Sequence, residues 1–326
     1  MTTPHGDLIN LTRLVPWLEQ ALPAFQGPVE VSKIAGGQSN PTFRLITPSK
    51  SWVLRRKPAG VLLKSAHAVD REFRVQRALA DTAVPVAPVH VFCDDDSVIG
   101  SPFYVMDMLD GRSFDDPSLP DLSPDERGQI MDEMNRVLAD IHNVDLAQVG
   151  LDDYGPAGNY YQRQTDRWTK QYRATETDTI PDMDDLIDWL SRNLPDDDGQ
   201  RTLVHGDYRL DNLMFARDSA QCLAVLDWEL STTGHPYADL AAVIMQWAMP
   251  ADTDGRGLRG IDRAAYGLMS DQEFIDRYCA RRDIGGIDRF GFYIAFCFFR
   301  MAAILQGVKK RALDGNASDP VRAMRL

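Results

Sequence analysis

Cysteine is scarce. The chain has four in 326 residues, Cys93, Cys222, Cys279 and Cys297, with no CxxC or CxxxH arrangement. That spacing excludes the common zinc frameworks and a dithiol site, and it fits a reduced, intracellular chain. Positive charge is also short: 35 Lys and Arg stand against 48 Asp and Glu, for a formal charge of -13 at pH 7. Such a balance disfavours a protein whose main task is to grip a nucleic-acid backbone or an anionic membrane. Long apolar runs are missing as well. The most apolar stretch, Gly291 to Phe299, is too short to cross a bilayer and is closed by Arg289 and Arg300, so it reads as part of a buried helix. The start, MTTPHGDLIN, lacks the basic and apolar regions of a signal peptide, and a cytoplasmic protein is expected. GxxxxGK[ST] is absent, and the GGQSN turn at 36–40 is not GxGxxG.

The length allows two domains and a sizeable core. After a short helix at 11–21, alternating β-branched and aromatic residues predict strands near 29–35, 41–47 and 51–57, joined as antiparallel hairpins. Helical spacing follows from Ala68 to Ala80, and then two more strands flank a turn at DDDSV. Beyond Gly111 helices are predicted at 124–142, 160–175, 182–194, 237–249, 271–282 and 289–310. One hairpin, NLMF then CLAVLD, interrupts them. The expectation is an α+β chain: a five-stranded antiparallel N-terminal nucleotide-binding domain at 1–107, a hinge at 108–112, and a mostly helical catalytic and acceptor-binding domain at 113–326. The tail from Asp314 to Met324 is expected to be poorly ordered.

The strongest chemical signal is His205-Gly-Asp207-Tyr-Arg209-Leu-Asp211-Asn212, followed after the hairpin by Val225-Leu-Asp227-Trp-Glu229. Phosphoryl transfer needs a carboxylate that receives or orients an acceptor hydroxyl, and oxygen ligands for magnesium. A loop from Asp207 to Asn212 can present both side chains to one cleft, and the hairpin can return Asp227 beside them. A turn built from ordinary Asp and Asn residues is the bland alternative. The two halves, in this order with a hairpin between them, favour chemistry.

In Trp52-Val-Leu-Arg-Arg-Lys57 a strand period puts Val53 and Arg55 on one face. Val53 can meet an adenine ring and Arg55 its phosphates, with Glu72 on the following helix holding Arg55. An exposed basic edge strand is the competing reading. In the GGQSN turn, Gly36 and Gly37 allow close backbone approach and Ser39 offers a donor to a phosphate, although a plain hairpin turn fits equally well.

These residues resemble the aminoglycoside phosphotransferase and choline kinase superfamily. The nearest resemblance is to the kinase-like domain fused to acyl-CoA dehydrogenases in some eukaryotes and free-standing in many bacteria. It rests on Ala35 to Asn40, Val53 to Pro58, His205 to Asn212 and Leu226 to Glu229, and runs from about Val29 to Leu305. It implies a protein-kinase-like two-lobed fold and transfer of the γ-phosphate of ATP or GTP to a small-molecule hydroxyl. By position it implies Asp207 as base or hydroxyl-orienting residue, Asn212 and Asp227 as Mg2+ ligands, and Arg55, paired with Glu72, as the phosphate-binding cation. Phe103 to Leu109 then forms the adenine-binding hinge, with Met106, Asp107 and Leu109 at the nucleotide. Arg209 stabilises charge at the acceptor or forms a salt bridge within the loop, while His205 and Asp239 order that loop.

Two positions depart from the family pattern: Arg55 stands where most kinases have Lys, and His235 where the nearest relatives have Asp. Only Trp228 to Tyr237 separates Asp227 from the next helix, too little for the activation segment of a protein kinase, so no protein substrate is expected. Candidate acceptors are a hydroxyacyl-CoA, an aminoglycoside or an amino alcohol. Arg163, Arg167, Lys170 and Arg173 are the cations that would suit the first, with solvated helix surface as their default reading. A catalytically silent nucleotide sensor or scaffold with the same fold is the competing class.

Overall fold

The computed structural model describes residues 9–34, 40–58, 68–252 and 256–315. Gly36, Gly37 and Ser39 lie outside them, as does the tail from residue 316 on. Two compact units are present. The first takes the chain through Phe114 together with Ala147–Leu151 and Leu210–Ser231; the second takes Asp115–Leu146, Asp152–Arg209 and the chain from Thr232 on.

In the first unit, α1 (Leu11–Ala21) precedes strands β1 (Glu30–Lys33), β2 (Thr42–Ile46) and β3 (Ser51–Arg56). Next come α2 (Val69–Leu79), β4 (Val89–Cys93), α3 (Asp96–Ile99) and β5 (Phe103–Asp107). The five strands form one antiparallel sheet in the order β1-β2-β3-β5-β4. Five strands with a helix after the third match the expectation. The predicted turn at DDDSV instead contains α3, because Asp95 caps it by accepting from the Ser97 N–H at 2.8 Å and Gly100 ends it at φ 84°.

Because β5 pairs with β3, the basic strand is central and not an edge. Its Trp52 and Leu54 face joins Phe43, Leu45, Phe103 and Val105, and Leu14, Leu18 and Leu22 in and beside α1 complete that core. Each such buried Leu or Phe contributes about 1.5–3 kcal/mol over exposure. The opposite face of β3 carries Val53 and Arg55.

The predicted hairpin is β7 (Leu213–Phe215) with β8 (Cys222–Val225), paired antiparallel. It is fastened to the segment after β5 by Arg112 and Phe215, which exchange N–H to carbonyl bonds of 2.8 Å. Gly111 permits this approach, since a Cβ there would lie 2.7 Å from the Phe215 carbonyl oxygen. Arg74 of α2 donates to the Gly150 carbonyl at 2.9 Å, attaching Ala147–Leu151.

The second unit contains α4 (Pro124–His142), α5 (Tyr160–Thr175), α6 (Pro181–Arg192), β6 (Thr202–Val204) and β9 (Thr232–Gly234). It continues with α7 (Tyr237–Trp247), α8 (Arg263–Tyr266), α9 (Asp271–Arg281) and α10 (Phe290–Leu313). All six predicted helices are present. The antiparallel pair β6 and β9 was not expected, nor was α8.

The acid-rich stretch from Glu176 to Asp198 holds α6, which buries Met183, Ile187 and Leu190 and sets Asp182 and Asp184 in its first turn, where the helix dipole favours negative charge. By length and composition α10 could cross a membrane, but its Phe292, Tyr293, Phe296, Cys297, Phe299 and Ala303 are buried within this unit.

Candidate functional site

The first unit brings Glu72 and Asp227 to Arg55. Its Nε lies 2.8 Å from Glu72 Oε2, and its Nη2 donates to Asp227 Oδ1. Glu72 is fully buried on α2, where Asn40 donates to Oε1 at 2.7 Å and the Tyr104 hydroxyl donates to Oε2 at 3.0 Å. Gln76, one helical turn on, donates to the same hydroxyl at 3.1 Å. Burial pushes the Glu72 carboxyl up to about 6, against the pull of Arg55 and the hydrogen bonds from Tyr104 and Asn40. Burial alone would lower Arg55, yet Glu72, Tyr104 and Asp227 hold it above its ordinary value. At neutral pH the pair is ionised.

Sheet register explains why the other candidates of this unit stand together. Val53 pairs with Met106, and Arg55 with Tyr104. Val53, Arg55, Met106 and Tyr104 therefore share the face of the sheet toward α2. Asp107 accepts from Lys50 at 2.7 Å and bonds His90 Nε2 at 2.6 Å, so its side chain is engaged within the sheet. Its backbone N–H is engaged too, donating to the Pro88 carbonyl at 2.9 Å, and Leu109 is half-buried.

Asp227 follows β8 at φ 62°, a left-handed conformation that Asp tolerates better than most side chains. Its position is fixed by the buried Trp228, whose Nε1 donates to the Val225 carbonyl at 2.9 Å. The Leu226 N–H donates to the Asn212 carbonyl at 2.8 Å, so the hairpin returns Asp227 to the neighbourhood of Asn212. Glu229 joins them: side-chain oxygens of Glu72, Asp227 and Glu229 all lie within 4.8 Å of one another. Asn40 reaches both Glu72 and, at 3.4 Å, Glu229.

This donor set fits Mg2+, which prefers carboxylate, amide and water oxygens. Glu72 and Asp227 both already engage Arg55, and Glu72 also accepts from Asn40 and Tyr104. The carboxylates of Asp227 and Glu229 are the nearer candidates for the ion, and Asn212 is brought beside Asp227 by its backbone bond to Leu226.

The second unit carries the loop with Asp207. β6 ends at Val204, and His205 and Gly206 donate their backbone N–H groups to the two carboxylate oxygens of Asp239 at 2.6 and 2.8 Å. Asp239 is buried on α7. Burial raises its pKa, but the hydrogen bonds from His142 and from the Gly206 N–H prevail and hold it below its ordinary value. His142 Nε2 lies 3.3 Å from Asp239 and Nδ1 2.7 Å from the Tyr278 hydroxyl. Burial lowers the His142 pKa; a neutral ring that donates from Nε2 and accepts at Nδ1 satisfies both partners.

The fully buried His205 accepts the Asp207 N–H at Nδ1, 3.3 Å away, an ordering contact. Arg209 Nε lies 3.7 Å from Asp207 Oδ2, the salt bridge foreseen as one of its two roles. Tyr208 anchors the loop through a 2.7 Å bond from its hydroxyl to the Met134 carbonyl. The Asp207 side chain is 42% exposed.

Sequence reasoning assigned no role to Asn40, Tyr104, Gln76 or His142, and quoted Glu229 only as part of its motif. Asn40 and Glu229 had a signal, since each closes a motif already singled out. Tyr104, Gln76 and His142 act only through tertiary contacts. His235 stacks on Tyr293 at 5.7 Å and lies 3.3 Å from Asp198 in a pocket of about 200 Å³ that Tyr160, Arg163 and Arg201 also line. Of the cations on α5, Arg163 donates to the Ala157 and Gly158 carbonyls, Arg173 pairs with Glu176 and Asp184, and Arg167 lies over Trp168.

Residues 30–279 match the family described as "Phosphotransferase enzyme family". The chain is 50% identical over 293 residues to acyl-CoA dehydrogenase family member 10 of Mus musculus, covering 90% of this chain and 27% of that protein. It spans 27–40% of the length of the curated relatives it matches. A solved structure from Ralstonia eutropha, named for the aminoglycoside phosphotransferases, is 46% identical with a TM-score of 0.90, covering 97% of this chain and 94% of that one. A spectinomycin phosphotransferase solved with ADP and spectinomycin is 13% identical with a TM-score of 0.64, covering 96% and 92%. These likenesses carry the two-lobed, kinase-like α+β fold expected of the sequence.

Proposed function

Because the chain belongs to the phosphotransferase enzyme family, we propose that it moves the γ-phosphate of ATP, or of GTP, to a hydroxyl of a small molecule. The observation that carries this reading is Arg55 held between Glu72 and Asp227, with Asn212 bonded to the residue before Asp227. The ADP held by the spectinomycin enzyme supports a nucleotide donor.

In this mechanism Val53 and Met106 contact adenine, the backbone at Asp107 and Leu109 meets its edge, and Arg55 binds phosphate oxygens. Asn212 and Asp227 would hold Mg2+, with Glu229 beside them, and the ion would supply charge neutralisation for the phosphates. Asp207 accepts the proton of the acceptor hydroxyl as its oxygen bonds the γ-phosphorus and the bond to the β-phosphate oxygen breaks, releasing the nucleoside diphosphate. Arg209 orients Asp207 and offsets charge at the acceptor. The residues position groups and stabilise developing charge more than they supply covalent chemistry.

For the acceptor, similarity to proteins named as acyl-CoA dehydrogenases favours a hydroxyacyl-CoA. The Ralstonia eutropha structure, by its name, supports an aminoglycoside as the second choice, and an amino alcohol is the third. We place the reaction in the cytoplasm, with no nucleic acid, membrane or protein as substrate.

The test is transfer of label from γ-labelled ATP and GTP to a panel of hydroxyacyl-CoA compounds, aminoglycosides, amino alcohols and sugars. Magnesium-dependent labelling of one class is expected. A magnesium-dependent rise in melting temperature with ATP, but no labelled acceptor, would instead identify a silent nucleotide sensor.

A further inference from the structure

Gly206 is gripped at both of its peptide groups. Its N–H donates to Asp239 at 2.8 Å, and its carbonyl accepts from Arg300 Nη2 at 2.9 Å. At φ 85° the residue sits in the left-handed region that disfavours any side chain, so hydrogen bonds rather than packing of a side chain hold this turn. The Gly206 carbonyl and the Asp207 N–H are the two ends of one planar peptide unit. Arg300 binds the first end, and His205 Nδ1, 3.3 Å from the Asp207 nitrogen, binds the second. The plane that leads into the Asp207 Cα is thereby pinned at both ends.

Arg300 is set within the apolar helix α10, and its guanidinium lies 5.7 Å from the ring centroid of Trp168. Among the described residues it has no carboxylate partner, in a chain with 48 acids. A cation kept in an apolar helix without an ion pair, and aimed at a single carbonyl, has the geometry of a support for that carbonyl.

We infer that Arg300 is a positioning residue for Asp207: through the Gly206 carbonyl it fixes the peptide plane from which the Asp207 carboxylate projects. This rests on the proposed role of Asp207 in phosphoryl transfer. Displacing a reacting group by 1 Å costs on the order of 100-fold in rate, so loss of the clamp acts on kcat and not on nucleotide affinity.

The experiment measures ATP hydrolysis to water, together with amide hydrogen exchange over residues 203–210, in the full chain and in Arg300→Met and Arg300→Lys. Met keeps the apolar stem, and Lys restores one charged donor. The expected result for Arg300→Met is a kcat lowered about 10- to 100-fold, an ATP KM within about twofold of wild type, and faster exchange at Gly206 and Asp207. Arg300→Lys is expected to recover part of both losses. Unchanged exchange in Arg300→Met would overturn the inference, as would faster exchange with unchanged kcat, or a raised ATP KM at unchanged kcat. If Arg300→Met does not fold, Arg300→Gln replaces it. A wild-type chain that turns over no ATP and labels no acceptor would defeat the functional reading; unchanged exchange alone defeats the clamp, so the two failures are separable.

Discussion

Arg55 and Asp227, 172 positions apart in the chain, are joined by a charge-assisted hydrogen bond while Arg55 Nε also lies 2.8 Å from Glu72. A guanidinium presents its donors in a rigid planar fork that meets two carboxylates in fixed directions, whereas an ammonium is a compact point charge with three rotatable donors on a flexible stem. Arg55→Lys is therefore expected to weaken ATP binding about tenfold, or about 1.4 kcal/mol, by calorimetry. Arg55→Leu leaves Glu72 buried without its cation and is expected to cost about 3 kcal/mol or more of stability in denaturant unfolding. Equal ATP affinity for Arg55→Lys and wild type would remove Arg55 from the phosphate site.

Glu72 sets a pH dependence. Its carboxyl is raised from an ordinary 4.5 to about 6, so it loses its charge, and its hold on Arg55, as pH falls through about 6. ATP affinity should fall over the same range, and Glu72→Gln should abolish the step. Stability moves the other way. A carboxyl whose folded pKa is raised contributes stability that is fully present below the unfolded value and lost as pH rises through the folded one. Acid therefore weakens binding at this group without unfolding the chain through it. An ATP affinity that is flat between pH 5 and 7.5 would contradict the assignment.

Much of this was legible from the sequence because the informative patterns are long or chemically specific. Helical spacing located α4 to α7, α9 and α10, and the loop at His205 to Asn212 with the hairpin before Asp227 pointed to the phosphotransferase family that residues 30–279 match. The strands β6 and β9 escaped because three residues each cannot display alternation, and α3 escaped because its acids read as a turn. The support of Glu72 by Asn40, Tyr104 and Gln76 depends on sheet register, which no local pattern encodes. Arg300 read as the close of an apolar run inside the helix predicted at 289–310; that its guanidinium turns toward Gly206 is a tertiary contact no local pattern encodes.

Asp239 is the support of the loop. It accepts two backbone N–H groups and lies 3.3 Å from His142 Nε2, with Asp239, His142 and His205 buried. Asp239→Ala leaves those donors without an acceptor and is expected to cost about 3–5 kcal/mol, lowering the melting temperature by about 10 °C and abolishing turnover. ATP affinity is expected to change little. Because its pKa is depressed in the folded chain, its contribution is present above the ordinary carboxylate range and is lost as pH falls through the lowered value. An Asp239→Ala protein with wild-type melting and turnover would show that the loop is held by other means.

The metal assignment is tested by calorimetric titration of Mn2+ in the presence of a non-hydrolysable ATP analogue. Asp227→Ala and Asn212→Ala are each expected to weaken cation binding at least about tenfold, and Glu229→Gln less. Wild-type Mn2+ affinity in Asp227→Ala would place the ion elsewhere.

The central claim is that Asp207 directs a hydroxyl toward the terminal phosphate of a nucleotide held by Arg55, Asn212 and Asp227. The most direct measurement compares wild type and Asp207→Asn for both ATP binding and label transfer to the acceptor found in the screen. Asp207→Asn keeps the shape of the side chain and removes its basicity, so transfer should fall about 100-fold or more while ATP affinity stays within about twofold. Transfer at the wild-type rate by Asp207→Asn would contradict it.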